Sequence, residues 1–399
     1  MLERLEALRL VDHHCHGVLD RDLGPEEFEA LLTESDEAGC DLGGSLWDTQ
    51  VGFAVRRWCA PVLGLPAHAS PGDYLARRTE LGADEVNRRF LAAAALDALC
   101  VDTGFTPQAL LDPPELGKLA GARAYEIVRL ERLAEGAVAD GASATGFAAE
   151  VRSRLTAKAR SEDVVGCKSI AAYRAGLELV GERPTEAEVA SAAGRLLREA
   201  ERAPSNQQAG RSAPPRVSDE VLHRFLVWCS VDAGLPVQFH VGYGDADADL
   251  RRGDPLLLTS LLQAVAPTGV PVMLLHNYPF HRNAGYLAQV FPNVFVDVGL
   301  ATHNLGHRAP ALIAELLELA PFGKVLYSSD AFGLAELYHL GALLFRRGLA
   351  AFLGSGVGDG AWTEEDAIRV GELMASGNAV RAYRLPAVPV AMPAGPAGA

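Results

Sequence analysis

Near the start of the chain, the run Asp12-His13-His14-Cys15-His16-Gly17 carries imidazoles at a spacing suited to holding a metal ion. If residues 8–15 form a strand, successive side chains alternate. His14 and His16 then share one face, while His13 and Cys15 point the other way and pack outward against helices. Two imidazoles on one face, about 7 Å apart along the backbone, can converge on a single ion. A surface histidine run, or three histidines each satisfied by its own hydrogen bond, would give the same letters. The metal reading therefore requires further ligands elsewhere in the chain.

Candidates for that role stand where other short apolar runs stop. Asp102, Arg129 and Glu131, Lys168, His240, His276, Asp297 and Asp330 each occupy such a place. A buried charge at a strand end needs a partner, and a shared metal ion provides one. His14, His16, His240 and Asp330 make a set of nitrogen and oxygen ligands for Zn²⁺ or a similar divalent ion, one or two in number. The ion would activate a water, and Asp330 would take the water's proton. His276 is either a further ligand or a group that polarises the substrate. Lys168 has three readings: a structural ion pair, a carbamate bridging two metals, or an ammonium that binds an anionic substrate and stabilises developing charge. Arg129 and Glu131 share a strand face, where they pair with each other or touch substrate. Arg174, just past the fourth strand, either grips a carboxylate through two hydrogen bonds or caps a helix surface. Asp297 ends the seventh strand and His303 follows in its loop, where either could line the pocket.

These residues need elements to hold them. Apolar runs at 8–15, 98–102, 124–131, 164–170, 235–240, 270–276, 294–297 and 324–330 alternate with helix-like sequence. Eight such units imply parallel pairing with right-handed crossovers and an α/β fold, a (β/α)₈ TIM-type barrel. An open doubly wound sheet is the competitor, but no Gly-rich phosphate loop follows the first strand. Residues 20–95 are too long for one βα connection. They read as a helical insertion lying over the barrel mouth, within a single domain spanning 1–384. Residues 202–215 read as an exposed polar loop, and 385–399 as a flexible Pro/Ala tail.

Bulk properties narrow the class. The 399 residues are 49% hydrophobic and 22% charged, enough for one large core. A net charge of −15 argues against nucleic acid and anionic membrane surfaces. Six scattered cysteines form no CxxC pair, and no apolar run reaches about 18 residues. The expectation is a cytoplasmic enzyme with reduced thiols, acting on a small molecule, with a homo-oligomer left open.

Asp12-x-His14-x-His16, the histidines ending strands five and six, and Ser328-Ser329-Asp330 resemble the amidohydrolase superfamily, in its amidohydrolase-related branch. Residues 168–177 and 325–330 are similar to the amidohydrolase-like domain of nodulin/glutamine-synthetase-like fusion proteins. The resemblance covers about residues 5–380. It implies a TIM-type barrel in which His14, His16, His240 and Asp330 bind metal, with His276 a ligand or a catalytic residue. Tyr173 belongs to the same motif as Arg174 and would contact substrate beside it. The implied activity is hydrolysis of an amide, lactone or related bond in a small anionic substrate. A decarboxylase or isomerase on the same site, or a silent barrel used as a binding module, is the alternative.

Overall fold

Seven parallel strands follow one another in sequence order around a curled sheet. They are β1 (Leu10–Cys15), β2 (Leu96–Asp102), β3 (Arg123–Arg129), β4 (Val164–Ser169), β5 (Val237–Val241), β6 (Val272–His276) and β7 (Val294–Val296). A computed structural model describes residues 1–35, 44–105, 109–202, 205–206, 211–212 and 215–386. The eighth place is filled by residues 325–330. Leu326 N–H bonds to the Val296 carbonyl at 3.0 Å, and on the other side His13 N–H bonds to the Tyr327 carbonyl at 3.1 Å. The ring therefore closes as a (β/α)₈ barrel, although its last member is held by isolated bonds rather than a regular ladder.

The barrel interior is apolar, with Val11, Ile127, Met273, Leu275, Phe295 and Leu326 all buried. Its floor is closed by the helix Asn378–Tyr383, which contributes Ala379, Ala382 and Tyr383. Outside the sheet, helices pack on the alternate strand residues, Cys15 and Cys167 among them. The five cysteines among the described residues are buried free thiols.

Two local departures from the expected pattern matter for the site. Strand β3 ends at Arg129, and Glu131 lies in the first turn of the helix Leu130–Ala139. The two residues therefore share no strand face. In β1 the pairing register to β2 shifts between Asp12 and Cys15. His13 follows Val11 into the barrel interior rather than packing outward, and the irregularity breaks strict alternation after it, so that His14 and His16 reach the site as well. His13 meets Asp297 Oδ2 at 2.8 Å and the Tyr383 hydroxyl at 2.9 Å.

The segment after β1 contains the helices Pro25–Ala30, Gln50–Ala54, Pro71–Leu81 and Ala83–Ala94. It is tied to the barrel by a buried cluster in which Glu336 accepts hydrogen bonds from Arg78 Nε at 2.6 Å and Tyr74 at 2.9 Å. Glu336 begins the long helix Ala335–Gly358. That helix is apolar and long enough to cross a bilayer by length and composition, yet 61% of its most apolar window is buried inside the fold. Of the expected 202–215 loop, residues 205–206 pair with 211–212 and most of the rest lies outside the described residues, as does 387–399 of the expected tail.

Candidate active site

The C-terminal ends of the strands deliver their polar side chains to one place. Asp330 Oδ1 lies 3.0 Å from His14 Nε2 and 3.4 Å from His16 Nε2, and its Oδ2 lies 3.4 Å from His276 Nδ1. Lys168 Nζ sits 3.2 Å from His14 Nε2. The ring of His240 is 4.6 Å from that of His276. Residues from strands one, four, five, six and the eighth segment thus meet at the floor of a cavity of about 570 Å³. A second hollow of about 550 Å³ lies on the insertion, between Leu23, Trp47 and Leu75, away from these strand ends.

The backbone is bent to achieve this convergence. His276, Asn277 and Asp330 have φ of +67°, +59° and +52°, a region that non-glycine residues rarely occupy. Such conformations cost on the order of 1–3 kcal/mol each and persist only where surrounding bonds hold them. Asp297 supplies part of that hold. Its Oδ1 accepts from the backbone N–H of His276 and of Gly299, both at 2.8 Å, while Oδ2 meets His13. Asp297 is fully buried and braces the site from below; it does not line the cavity, as the sequence reading had it. Asp12 plays the equivalent part for the eighth segment, accepting from Ser329 N–H at 2.9 Å and Ser329 Oγ–H at 2.5 Å.

Burial sets the protonation states. It pushes His14 down to about 4 and His240 to about 3, with the Lys168 ammonium adding to both shifts, and it pushes His276 well below the ordinary range. Neutral imidazoles are the form that binds metal. Burial also lowers Lys168 to about 8. Asp330 is pushed up by burial, but His276 and the bonds from His14 and His16 outweigh this and keep it ionised.

The donor set fits a cation. His14 Nδ1 and both ring nitrogens of His276 are buried without a hydrogen-bond partner among the described residues. Donor atoms of His14, His276 and Asp330 lie within 4.8 Å of one another, as do those of His14, His16 and Asp102. His240 is held differently. Its Nε2 is 3.0 Å from the Tyr243 carbonyl, and its Nδ1 is 3.4 Å from the Tyr173 hydroxyl.

The expected substrate-binding residues separate. Arg129 is committed to Asp102, with contacts of 2.5 and 3.1 Å to Oδ2, and Asp102 Oδ1 caps Gly104 N–H at 2.9 Å. Glu131 accepts from Ser169 Oγ–H at 2.8 Å and Ile170 N–H at 2.9 Å, and lies 3.2 Å from the buried His223. It therefore fastens the loop that carries Tyr173 and Arg174 rather than pairing with Arg129. Tyr173, Arg174 and His303 line the cavity, whereas Lys168 lies below its lining. Phe105, Phe332 and Leu31 of the insertion also line it. Nothing in the sequence marks these apolar side chains as site residues: Phe105 and Phe332 stand in loops without periodicity, and Leu31 ends the helix Pro25–Ala30 at ordinary helical spacing.

The sequence from residue 11 to 385 matches the Amidohydrolase family. Protein fluG of Emericella nidulans is 34% identical over 234 residues, which is 56% of this chain and 26% of that protein. The chain thus spans about a quarter of that relative's length. Among solved structures, a Lactobacillus casei ATCC 334 protein assigned as a metal-dependent hydrolase superposes with a TM-score of 0.81 at 28% identity, covering 96% of both chains. Glucuronate isomerase from Caulobacter crescentus gives 0.64 at 15% identity, over 98% of this chain and 94% of that one, and shares the fold. Because the family match runs from the first strand to the helix closing the barrel floor, the chain belongs to the amidohydrolase family.

Proposed function

We propose that this chain is a metal-dependent hydrolase acting on an amide, lactone or related bond of a small anionic molecule. The observation that carries this reading is the convergence of buried imidazoles on the Asp330 carboxylate: His14 Nε2 at 3.0 Å, His16 Nε2 at 3.4 Å and His276 Nδ1 at 3.4 Å, with both His276 nitrogens left without a hydrogen-bond partner among the described residues. Buried polar atoms without partners are costly, and a divalent cation is the partner this donor chemistry suits. His14, His16, His276 and Asp330 would hold it, a set compatible with Zn²⁺. His240, an expected ligand, joins only by giving up the Tyr243 carbonyl. When bound, such an ion lowers the pKa of a water and polarises a carbonyl.

The remaining work falls to side chains. Asp330, ionised and facing the cavity, accepts a proton from the attacking water. The Tyr173 hydroxyl, braced by His240 at 3.4 Å, can donate to the oxygen on which negative charge develops. One water adds across the C–N or C–O bond: its oxygen ends on the acyl carbon and a proton on the leaving group. Lys168, lowered to about 8, keeps the His14 side of the cluster positive, and its amine form is the one that CO₂ would convert to a carbamate.

The test is metal analysis of protein expressed with Zn, Mn or Fe supplementation, followed by chelation. Stoichiometric metal and loss of turnover on chelation, restored by re-addition, are expected. A chain that binds no metal, or one equally active after its metal is stripped, would contradict the reading.

A further inference from the structure

The two sides of the cavity differ in character, and strand order says which side is which. In a closed ring of eight, the loops after the eighth segment, β1 and β2 lie together, and the loops after β4 and β5 face them across the mouth. The first group presents aromatic carbon. Phe105 follows β2 and Phe332 follows the eighth segment; their rings lie 4.9 Å apart, and the His16 ring is 5.7 Å from one and 6.0 Å from the other. Phe105 is 38% exposed, a large apolar surface left open to the cavity.

The facing side presents a cation in search of a partner. Arg174 lines the cavity, and its Nε and Nη1 are buried with no hydrogen-bond partner among the described residues. The other arginines of the lining are matched: Arg129 by Asp102, Arg132 by Glu135 and Arg216 by Asp247. Leaving guanidinium nitrogens buried and unpaired is expensive, and a guanidinium with a free edge matches a carboxylate through charge-assisted bonds. His16, His240 and Asp330 line the same cavity, His16 and Asp330 from the strand ends of the first side and His240 from β5 on the other.

We infer that the substrate is an amphiphilic amide with an apolar group and a carboxylate on opposite sides of the scissile bond, in the simplest case an N-acyl amino acid. The apolar end packs on Phe105 and Phe332, the carboxylate is held by Arg174, and the carbonyl between them lies over Asp330. This rests on the hydrolytic reading above. The reaction balances as R–CO–NH–R′–COO⁻ + H₂O → R–COO⁻ + ⁺H₃N–R′–COO⁻. The C–N bond breaks, the water oxygen joins the acyl carbon, and both water protons end on the released amine.

The experiment is calorimetric titration of the metal-loaded protein with N-benzoyl-glycine, N-benzoyl-β-alanine and N-benzoyl-4-aminobutyrate, each beside its methyl ester, with product release followed separately. At least one acid should bind about 10- to 100-fold more tightly than its ester, the range of a charge-assisted bidentate contact. Arg174→Gln should erase that preference, and Arg174→Lys, which keeps the charge but loses the fork, should retain part of it. Phe105→Ala should weaken the N-benzoyl acid more than its N-acetyl counterpart, which offers less apolar surface to the ring. Acids that bind no better than esters, or a preference that survives in folded Arg174→Gln and Arg174→Lys, overturn the inference. Selective binding without product keeps the carboxylate and apolar subsites and counts against the hydrolytic reading, not against the two-sided recognition. Esters cleaved as fast as acids leave hydrolysis standing and remove the inference.

Discussion

Asp330 stands with its carboxylate 3.0 Å from His14 Nε2, and its backbone N–H donates to the His14 carbonyl, also at 3.0 Å. The two residues come from opposite ends of the chain, and their main chains and side chains are joined at once. The link is set by Asp12, which grips both the N–H and the hydroxyl of Ser329. Asp12→Ala should therefore loosen Asp330 without removing any donor, lowering metal affinity by about 10- to 100-fold, as loss of outer partners of ligands typically does. Asp330→Ala should abolish stoichiometric binding. Titration with Zn²⁺ reads both, and equal affinity in Asp12→Ala would show that the brace is unnecessary.

Gly244 is required by Tyr173. A Cβ placed there would lie 1.9 Å from the Tyr173 hydroxyl. Gly244→Ala should push the phenol away from His240 and lower the melting temperature, and adding Tyr173→Phe should recover part of the loss because the oxygen in the way is gone. Thermal melts of the two singles and the double variant check this. Additive effects would mean that the two positions do not touch.

The Arg129–Asp102 pair is buried, with contacts of 2.5 and 3.1 Å. Burial works against the Asp102 carboxylate, but Arg129 holds it well below its ordinary range. Arg129→Ala strands a buried carboxylate and should cost roughly 3–5 kcal/mol in denaturant unfolding. The double variant Arg129→Leu/Asp102→Leu should lose much less, since no unpaired charge remains.

His339 lies on the long helix beside Phe90 and outside the cavity lining, and burial holds it below its ordinary value of 6.5. Between the unfolded and folded values the unfolded chain binds more protons, so acid favours unfolding. This group's contribution is complete above about pH 6.5 and is lost as pH falls toward its folded value. His339→Gln removes that term, so its melting temperature should drop less than the native protein's on going from about pH 7 to about pH 5. Parallel curves would refute it.

The architecture was legible in the sequence because β-branched runs alternate with helical texture, and because chemistry concentrates where those runs stop. His14, His16, His276 and Asp330 converge as that logic requires. What escaped it depends on local irregularity. A register shift lets His14 and His16 reach the site while His13 stays inward with Val11, and a helix beginning at Leu130 gives Glu131 a new partner in Ser169. The helix Asn378–Tyr383 carries no motif that singles it out, yet Tyr383 closes the barrel floor under His13. Phe105 and Phe332 are loop residues, and only three-dimensional closure shows what they face.

The most direct test of the central claim is turnover in water enriched in heavy oxygen. Metal-loaded and chelated protein would each be given a panel of carboxylate-bearing amides and lactones, and the products weighed by mass spectrometry. Hydrolysis predicts one heavy oxygen in the released acid, only with the loaded protein. A product of unchanged mass, a loss of CO₂, or heavy-oxygen acid formed equally by the chelated protein would contradict it.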